Sequence, residues 1–253
     1  MINRIYQSLC VAVCALGIMA CTNEDYKLYD VAQKDAVFFE YIDDKEEIVD
    51  SVDYVFDYNI AETHTIEVPV RLMGMPVDYE RKVELAPVAD KTDMVKDVHY
   101  RIESSVLPAN EVETSIKIIL LRGNDPELLE RSFTLVVKLV ENEDLRSVGQ
   151  TEFTVTYSDI RPTVRPEWWN TWSPMPEYSY EAAQVFFKYF YEKAPQGNQE
   201  VFNKMILLYG DYFKKAKSTQ GPLAMYSNFL ERYVLVPMYA DYKDTFTWQD
   251  IPN

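Results

Sequence analysis

The side chains able to do acid–base, nucleophilic or metal chemistry are sparse in this chain of 253 residues. There are two histidines, His64 and His99. His64 stands between Thr63 and Thr65 at a strand start. His99 precedes Tyr100 at a corner, and no serine or cysteine motif lies near either. No His-Glu-x-x-His, Gly-x-Ser-x-Gly or Walker pattern occurs. Seven glycines leave little for a phosphate-cradling loop. Among 41 Asp and Glu, some pair could stand at the separation glycoside hydrolysis needs, but chain spacing brings no two together. The chain therefore reads as a protein without catalytic function. The same acids, set against 25 Lys and Arg for a net charge of -16, exclude a phosphate-binding surface for nucleic acid.

The thiols carry more information. Cys10, Cys14 and Cys21 all lie at the N-terminus. Behind Met1-Ile2-Asn3-Arg4, the apolar run Leu9 to Ala20 is 12 residues long. A membrane-spanning helix needs about 20, so residues 1–20 read as a secretory signal peptide. Ile18-Met19-Ala20 before Cys21 resembles a bacterial lipobox, in which the cysteine is acylated and becomes the first mature residue. Cys21 is the expected lipid-attachment site, with palmitate-type chains on its sulfur. Thr22-Asn23-Glu24-Asp25 resembles the acidic surface-export signal of Bacteroidetes lipoproteins. The expected location is the outer membrane, lipid-anchored and surface-exposed. Beyond Cys21 no thiol remains for a disulfide, a nucleophile or a metal, and no cofactor or metal site is assigned.

The aromatic residues are the remaining candidates. Residues 166–253 hold 21 of the 35 aromatics, including Trp168, Trp169, Trp172 and Trp248. Tyrosine and tryptophan offer a flat apolar face with a polar rim, which suits sugar rings and interfaces. Trp168, Trp169 and Trp172, with Tyr178 and Tyr180, form the candidate ligand platform. The competing reading is that Trp168 docks the linker onto the sandwich and that Phe186, Phe190, Phe202 and Phe213 fill a helical core.

These residues need a scaffold, and the chain has two grammars. Residues 21–35 read as a tether. Residues 36–160 alternate with period two: Val52, Tyr54, Phe56 and Tyr58; Ile66, Val68, Val70 and Leu72; Phe133, Leu135, Val137 and Leu139. Short runs of this kind predict an antiparallel β-sandwich of immunoglobulin or Calx-β type. Turn material separates them at Met75-Pro76, Leu107 to Asn110, Gly123 to Pro126 and Glu141 to Asp144. Pro69 predicts an edge strand or a bulge. Residues 161–178 form a Pro/Trp linker. Residues 179–253 turn helical, making the fold mainly β with an aromatic-rich α-helical C-terminal region. Ser179 caps a stripe of Ala182, Val185, Phe186, Tyr189 and Phe190. Asn198 caps one running from Phe202 through Tyr212 and Phe213, with Lys214, Lys215 and Lys217 behind it. Pro222 opens a third with Leu223, Tyr226, Leu230 and Tyr233.

Residues 64–157 resemble a Calx-β sandwich. The resemblance rests on Val68-Pro69-Val70-Arg71-Leu72, Val98-His99-Tyr100, Leu107-Pro108-Ala109-Asn110 and Glu130 to Leu135. It implies Ca²⁺ held by loop carboxylates, but Val98 and His99 replace the corner Gly and Asp. Asp93, Asp97, Glu127 and Glu130 then read as solvated loop acids. Taken with the lipobox and Pro166-Glu167-Trp168, residues 36–253 resemble an uncharacterised Bacteroidetes lipoprotein family, domain-of-unknown-function family 4843. That resemblance implies a surface lipoprotein, and the expected function is a binding accessory of an outer-membrane SusC/SusD-type nutrient-uptake system. Its partners would be a polysaccharide or the transporter components. The alternative is a structural or adhesion-type module binding a protein partner. Exposed coplanar Trp and Tyr faces would favour the first; a buried Trp168 with an exposed apolar patch would favour the second.

Overall fold

Period-two alternation becomes two packed sheets. The computed structural model describes residues 34–43, 45–169, 174–216 and 222–252. The expected signal peptide, Cys21 and Trp172 lie outside the described residues.

The first sheet has the order β12–β1–β5–β10–β8, built from Leu145–Ser147, Asp35–Phe39, Thr63–Met73, Glu113–Leu121 and Tyr100–Ile102. The second has the order β4–β13–β11–β7, from Ser51–Val55, Glu152–Ser158, Phe133–Leu139 and Leu85–Pro87. Two small hairpins complete the set: β2 (Tyr41–Ile42) with β3 (Ile48–Val49), and β6 (Arg81–Val83) with β9 (Ser105–Leu107). Inward residues of both sheets, among them Val68, Val70, Ile116, Ile118, Leu135, Val137, Phe153 and Val155, share one core. Each buried aliphatic side chain contributes roughly 1.5–3 kcal/mol relative to exposure.

Antiparallel pairing is not universal. The chain enters through β1, parallel to β12, crosses by the β2–β3 hairpin, and re-enters as β4, parallel to β13. One N-terminal segment thus feeds both sheets.

Pro69 departs from expectation. It sits in β5, an interior strand, opposite Ser115 of β10. The Pro69 carbonyl accepts from Glu40 N–H at 3.3 Å on the β1 side. A residue's N and O point the same way in a strand, so the missing donor falls where β1 pairing ends at Val70, and the ladder to β10 is intact.

The Val52 to Tyr58 alternation is also cut short. β4 ends at Val55 and Asp57 turns the chain with φ 49°. Phe56 stays in the sandwich core, whereas Tyr58 is handed to the second core, among the helices.

The helical region opens as its caps predict. The Ser179 hydroxyl accepts from Ala182 N–H at the start of α1 (Tyr180–Gly197), and Asn198 accepts from Val201 N–H at the start of α2 (Gln199–Tyr209). The second helix is shorter than its stripe. Gly210 stops it at φ 68°, ψ 177°, a conformation essentially confined to glycine. Tyr212 and Phe213 follow in a single turn, both at positive φ, and Lys214 and Lys215 therefore load no helix end. Lys217 lies outside the described residues. The third stripe is broken into α3 (Pro222–Met225), α4 (Ser227–Leu230), a π-turn at Glu231–Leu235, and α5 (Val236–Tyr242). Pro237 explains the π-turn. Its ring has no N–H and would collide with the carbonyl four residues back, so the ladder shifts and Val236 N–H reaches Glu231 O.

Candidate functional site

The two described tryptophans of the expected platform, Trp168 and Trp169, do not form a surface; Trp172 lies outside the described residues. Trp168 and Trp169 are each 1% exposed. Trp168 meets Phe187 and Phe213 edge-on at 5.8 and 5.2 Å, and Trp169 meets Tyr178 and Phe186 at 5.4 and 5.6 Å. The Trp169 indole N–H donates to Pro176 O at 3.0 Å. These rings dock the linker into the helical core, not onto the sandwich as expected for Trp168, and surrounding rings take up the surface a sugar would need. Phe186, Phe190 and Phe213 are buried in the same core.

Tyr178 and Tyr180 are half-buried and fasten the helical region to the sandwich. The Tyr178 hydroxyl lies 3.1 Å from that of Tyr58. The Tyr180 hydroxyl donates to Asp57 O and accepts from Arg122 at 3.0 Å and from the Gln184 amide at 3.2 Å. Arg122, at the end of β10, grips both Asp159 oxygens, donates to Asn59 O, and lies 4.9 Å from the Phe56 ring.

Beside this seam the structure opens a groove of about 440 Å³. The sandwich supplies Tyr54 from β4, Tyr58, Asn59 and Ile60 from the segment after it, and His64 from β5. The helices supply Phe187, Lys188, Tyr191 and Glu192 from α1, and Asp211 and Tyr212 from the turn behind Gly210. His64 and Tyr54 stack face to face at 3.6 Å and 6°. Tyr58 stacks on Phe187 at 5.3 Å, and Tyr212 stands edge-on to Phe187 and Tyr191 at 5.2 and 5.5 Å.

The backbone around the groove is held in unusual conformations. Asp57, Gly210, Tyr212 and Phe213 all have positive φ. Such residues persist only where the surroundings hold them, and they cluster at functional sites. Here the hold is visible. Tyr191 OH donates to Asp211 at 3.2 Å and accepts Tyr212 N–H at 3.1 Å, and the Lys214 ammonium pairs with the buried Asp57 at 2.8 Å.

Burial raises the phenols of Tyr58, Tyr191 and Tyr212, keeping them neutral donors, and lowers His64, keeping its imidazole neutral. Neither ring nitrogen of His64 has a protein hydrogen-bond partner among the described residues, nor does the Lys188 ammonium or the Glu192 carboxylate. Aromatic faces with uncommitted polar groups between them are what a saccharide needs from a protein.

The other histidine is fully engaged. The Nδ1 atom of His99 accepts Val95 N–H at 2.8 Å and Nε2 lies 3.0 Å from Asp125. At the same end of the sandwich Arg131 bridges Asp93 and Glu127, at 2.7 and 3.0 Å. A guanidinium thus neutralises acids that the Calx-β resemblance would offer to Ca²⁺. Among the described residues no three metal-ligating side chains are grouped to hold an ion, and no helix is long and apolar enough to cross a membrane.

A family model described as "Domain of unknown function (DUF4843)" matches residues 31–190. No curated protein matches the chain. Among solved structures, a two-domain protein of unknown function from Bacteroides fragilis is 16% identical, with 51% of this chain and 46% of that one covered and a TM-score of 0.38. The CBD12 part of CALX1.2 is 16% identical, with 49% and 45% covered and a TM-score of 0.33. A putative carbohydrate-binding protein from Bacteroides ovatus is 14% identical, with 49% and 37% covered and a TM-score of 0.35. The chain spans less than half the length of each of these three.

Proposed function

The chain belongs to the DUF4843 family of domains of unknown function, and from that premise we propose that it is a non-catalytic, lipid-anchored surface protein that holds a saccharide in the groove between sandwich and helices. One observation carries the reading: Tyr54–His64 from the sandwich and Tyr191–Tyr212 from the helices face one groove, with free polar groups at its rim. Stacking supplies affinity and the rim supplies hydrogen bonds, with no bond made or broken. The lipobox at Ile18 to Cys21 supports attachment to the outer membrane through Cys21. Such a protein would keep a polymer near a SusC/SusD-type transporter.

The test is a glycan array probed with the purified chain and its Tyr212→Ala variant. Retention of a polysaccharide, lost in the variant, is the expected result. No retention on any glycan removes the reading, and retention unchanged by the variant moves the site elsewhere. Labelled palmitate entering the protein, but not a Cys21→Ala variant, is the expected result for the anchor.

A second reading, a docking module for a protein partner, is favoured by a different observation. Trp168 is buried, while Leu207 on α2 is 80% exposed with Leu208 beside it. A Leu207→Asp variant that keeps glycan retention but no longer co-purifies with transporter components would support it.

A further inference from the structure

The polar groups of the groove narrow the saccharide it takes. Two carboxylates stand at its exposed rim, Glu192 on α1 and Asp211 behind Gly210. Glu192 has no ion-pair partner among the described residues, and Asp211 receives the Tyr191 hydroxyl on Oδ1 alone. Lys188, one turn before Glu192, is the one ammonium among the described lining residues, and it pairs with neither acid. Among the described lining residues, carboxylates without a cationic partner therefore outnumber ammonium groups two to one. The same lining carries Tyr54, Tyr58, Tyr191 and Tyr212, and the faces of such rings attract cations. The protein already seats one ammonium in this manner. Lys214 Nζ lies 2.8 Å from Asp57 and 5.9 Å from the centroid of Tyr212, a ring of the groove wall.

We propose that the groove selects saccharides carrying a protonated amino group over their hydroxyl and N-acetylated counterparts, the ammonium lying between Asp211, Glu192 and the Tyr212 ring. This selection rests on the saccharide-holding reading above. An ammonium gains from the carboxylates by charge and from the tyrosines by their quadrupole, whereas a hydroxyl gains only a neutral hydrogen bond. An acetamido group has no charge and adds bulk. A net charge of -16 also draws any cation to the chain at long range, so the test must separate local selection from that diffuse attraction.

The full chain, purified in detergent, is titrated calorimetrically with three β-1,4-linked tetrasaccharides that differ only at C2: hydroxyl, acetamido or free amine. The titration is run at low salt and a pH of about 6. The amine tetramer is expected to bind about tenfold more tightly than the other two. An Asp211→Asn/Glu192→Gln double variant is expected to bring the amine-to-hydroxyl ratio to within about twofold. Glu192→Gln alone neutralises a carboxylate with no hydrogen-bond or ion-pair partner among the described residues and should lower the ratio part of the way. Hydroxyl or acetamido tetramers binding as tightly as the amine overturn the selection. A double variant that keeps the full ratio does so too, because the preference would then be diffuse attraction. If none of the three binds while the array retains another polysaccharide, the selection falls and the saccharide reading stands. If no glycan is retained at all, both fall.

Discussion

Arg122 and Asp159 form a two-pronged ion pair at the seam between sandwich and helices, with N–O distances of 2.7 and 2.9 Å and side chains 9% and 7% exposed. Arg122 also reaches Tyr180 of α1 and the carbonyl of Asn59, so one guanidinium ties β10, the end of β13, the groove segment and the first helix. Removing one partner of a buried pair strands the other's charge, which costs about 3–5 kcal/mol. Arg122→Met is expected to lower the unfolding free energy by about that amount in a urea titration. Arg122→Lys keeps the charge but loses the fork, and should fall between wild type and Met. A change below about 1 kcal/mol for Arg122→Met would show that the seam is held by packing alone.

Acid should destabilise the fold in two separable stages. Burial lowers His64, so below the ordinary histidine value of about 6.5 the unfolded chain takes up its proton first and is stabilised. Stability from this group is full above that value and declines as pH falls toward the folded one. Asp93 acts lower on the scale. Burial alone would raise it, but the Thr134 N–H and Arg131 outweigh burial and hold it below the usual carboxylate range. Its contribution is present above the unfolded value of about 3.9 and is lost as pH falls through the folded one. Urea midpoints measured from pH 3 to 8 should show both slopes. His64→Gln should flatten the upper and Asp93→Asn the lower; a variant that leaves its slope untouched would clear that residue of the effect.

How far these features can be read from sequence depends on whether their cause is local. Ser179 and Asn198 are legible as caps because a cap is a bond between a side chain and a backbone N–H two or three residues on. Ile66, Val68 and Val70 are legible because burial on one face of a strand imposes period two. The groove is not legible: Tyr54, His64, Tyr191 and Tyr212 come from four segments, and what joins them is the docking of a helical region onto a sandwich. Trp168 and Trp169 mislead for the opposite reason. Adjacent tryptophans behind a proline-rich linker have the composition of a platform and of a plug alike, and only packing separates the two. The second stripe runs in sequence through Gly210 to Phe213, and the backbone at Gly210 is why the helix stops short of Tyr212.

Gly210 offers a third prediction. At φ 68° and ψ 177° an alanine would be strained, at about 1–3 kcal/mol. The strain falls on the residue that sets the direction of Asp211 and Tyr212. Gly210→Ala is therefore expected to lower the melting temperature by several degrees and to weaken saccharide retention. Ala substituted at Gly149, which is also at positive φ but far from the groove in sequence and open around its Cα, serves as control. It should lose stability without losing retention. Equal loss of retention in both variants would mean that general destabilisation is responsible.

Trp168 and Tyr212 make the sharpest contrast, because both are aromatic residues of the helical core region and only one faces the groove. Trp168 is enclosed by Trp169, Phe186, Phe187 and Phe213. Its truncation to alanine leaves a cavity the size of an indole, at about 3–5 kcal/mol. Tyr212 is half-buried, and its ring lies at the wall of the groove, so truncation removes less packing and more of the surface a sugar would meet. Trp168→Ala is expected to unfold at markedly lower urea, with the near-ultraviolet signal of the helical region lost first. Tyr212→Ala should retain most of its stability and lose retention on whichever glycan the wild type holds. The reverse pattern, a stable Trp168→Ala protein without retention beside a Tyr212→Ala protein with it, would return the binding face to the tryptophans and remove the groove from consideration.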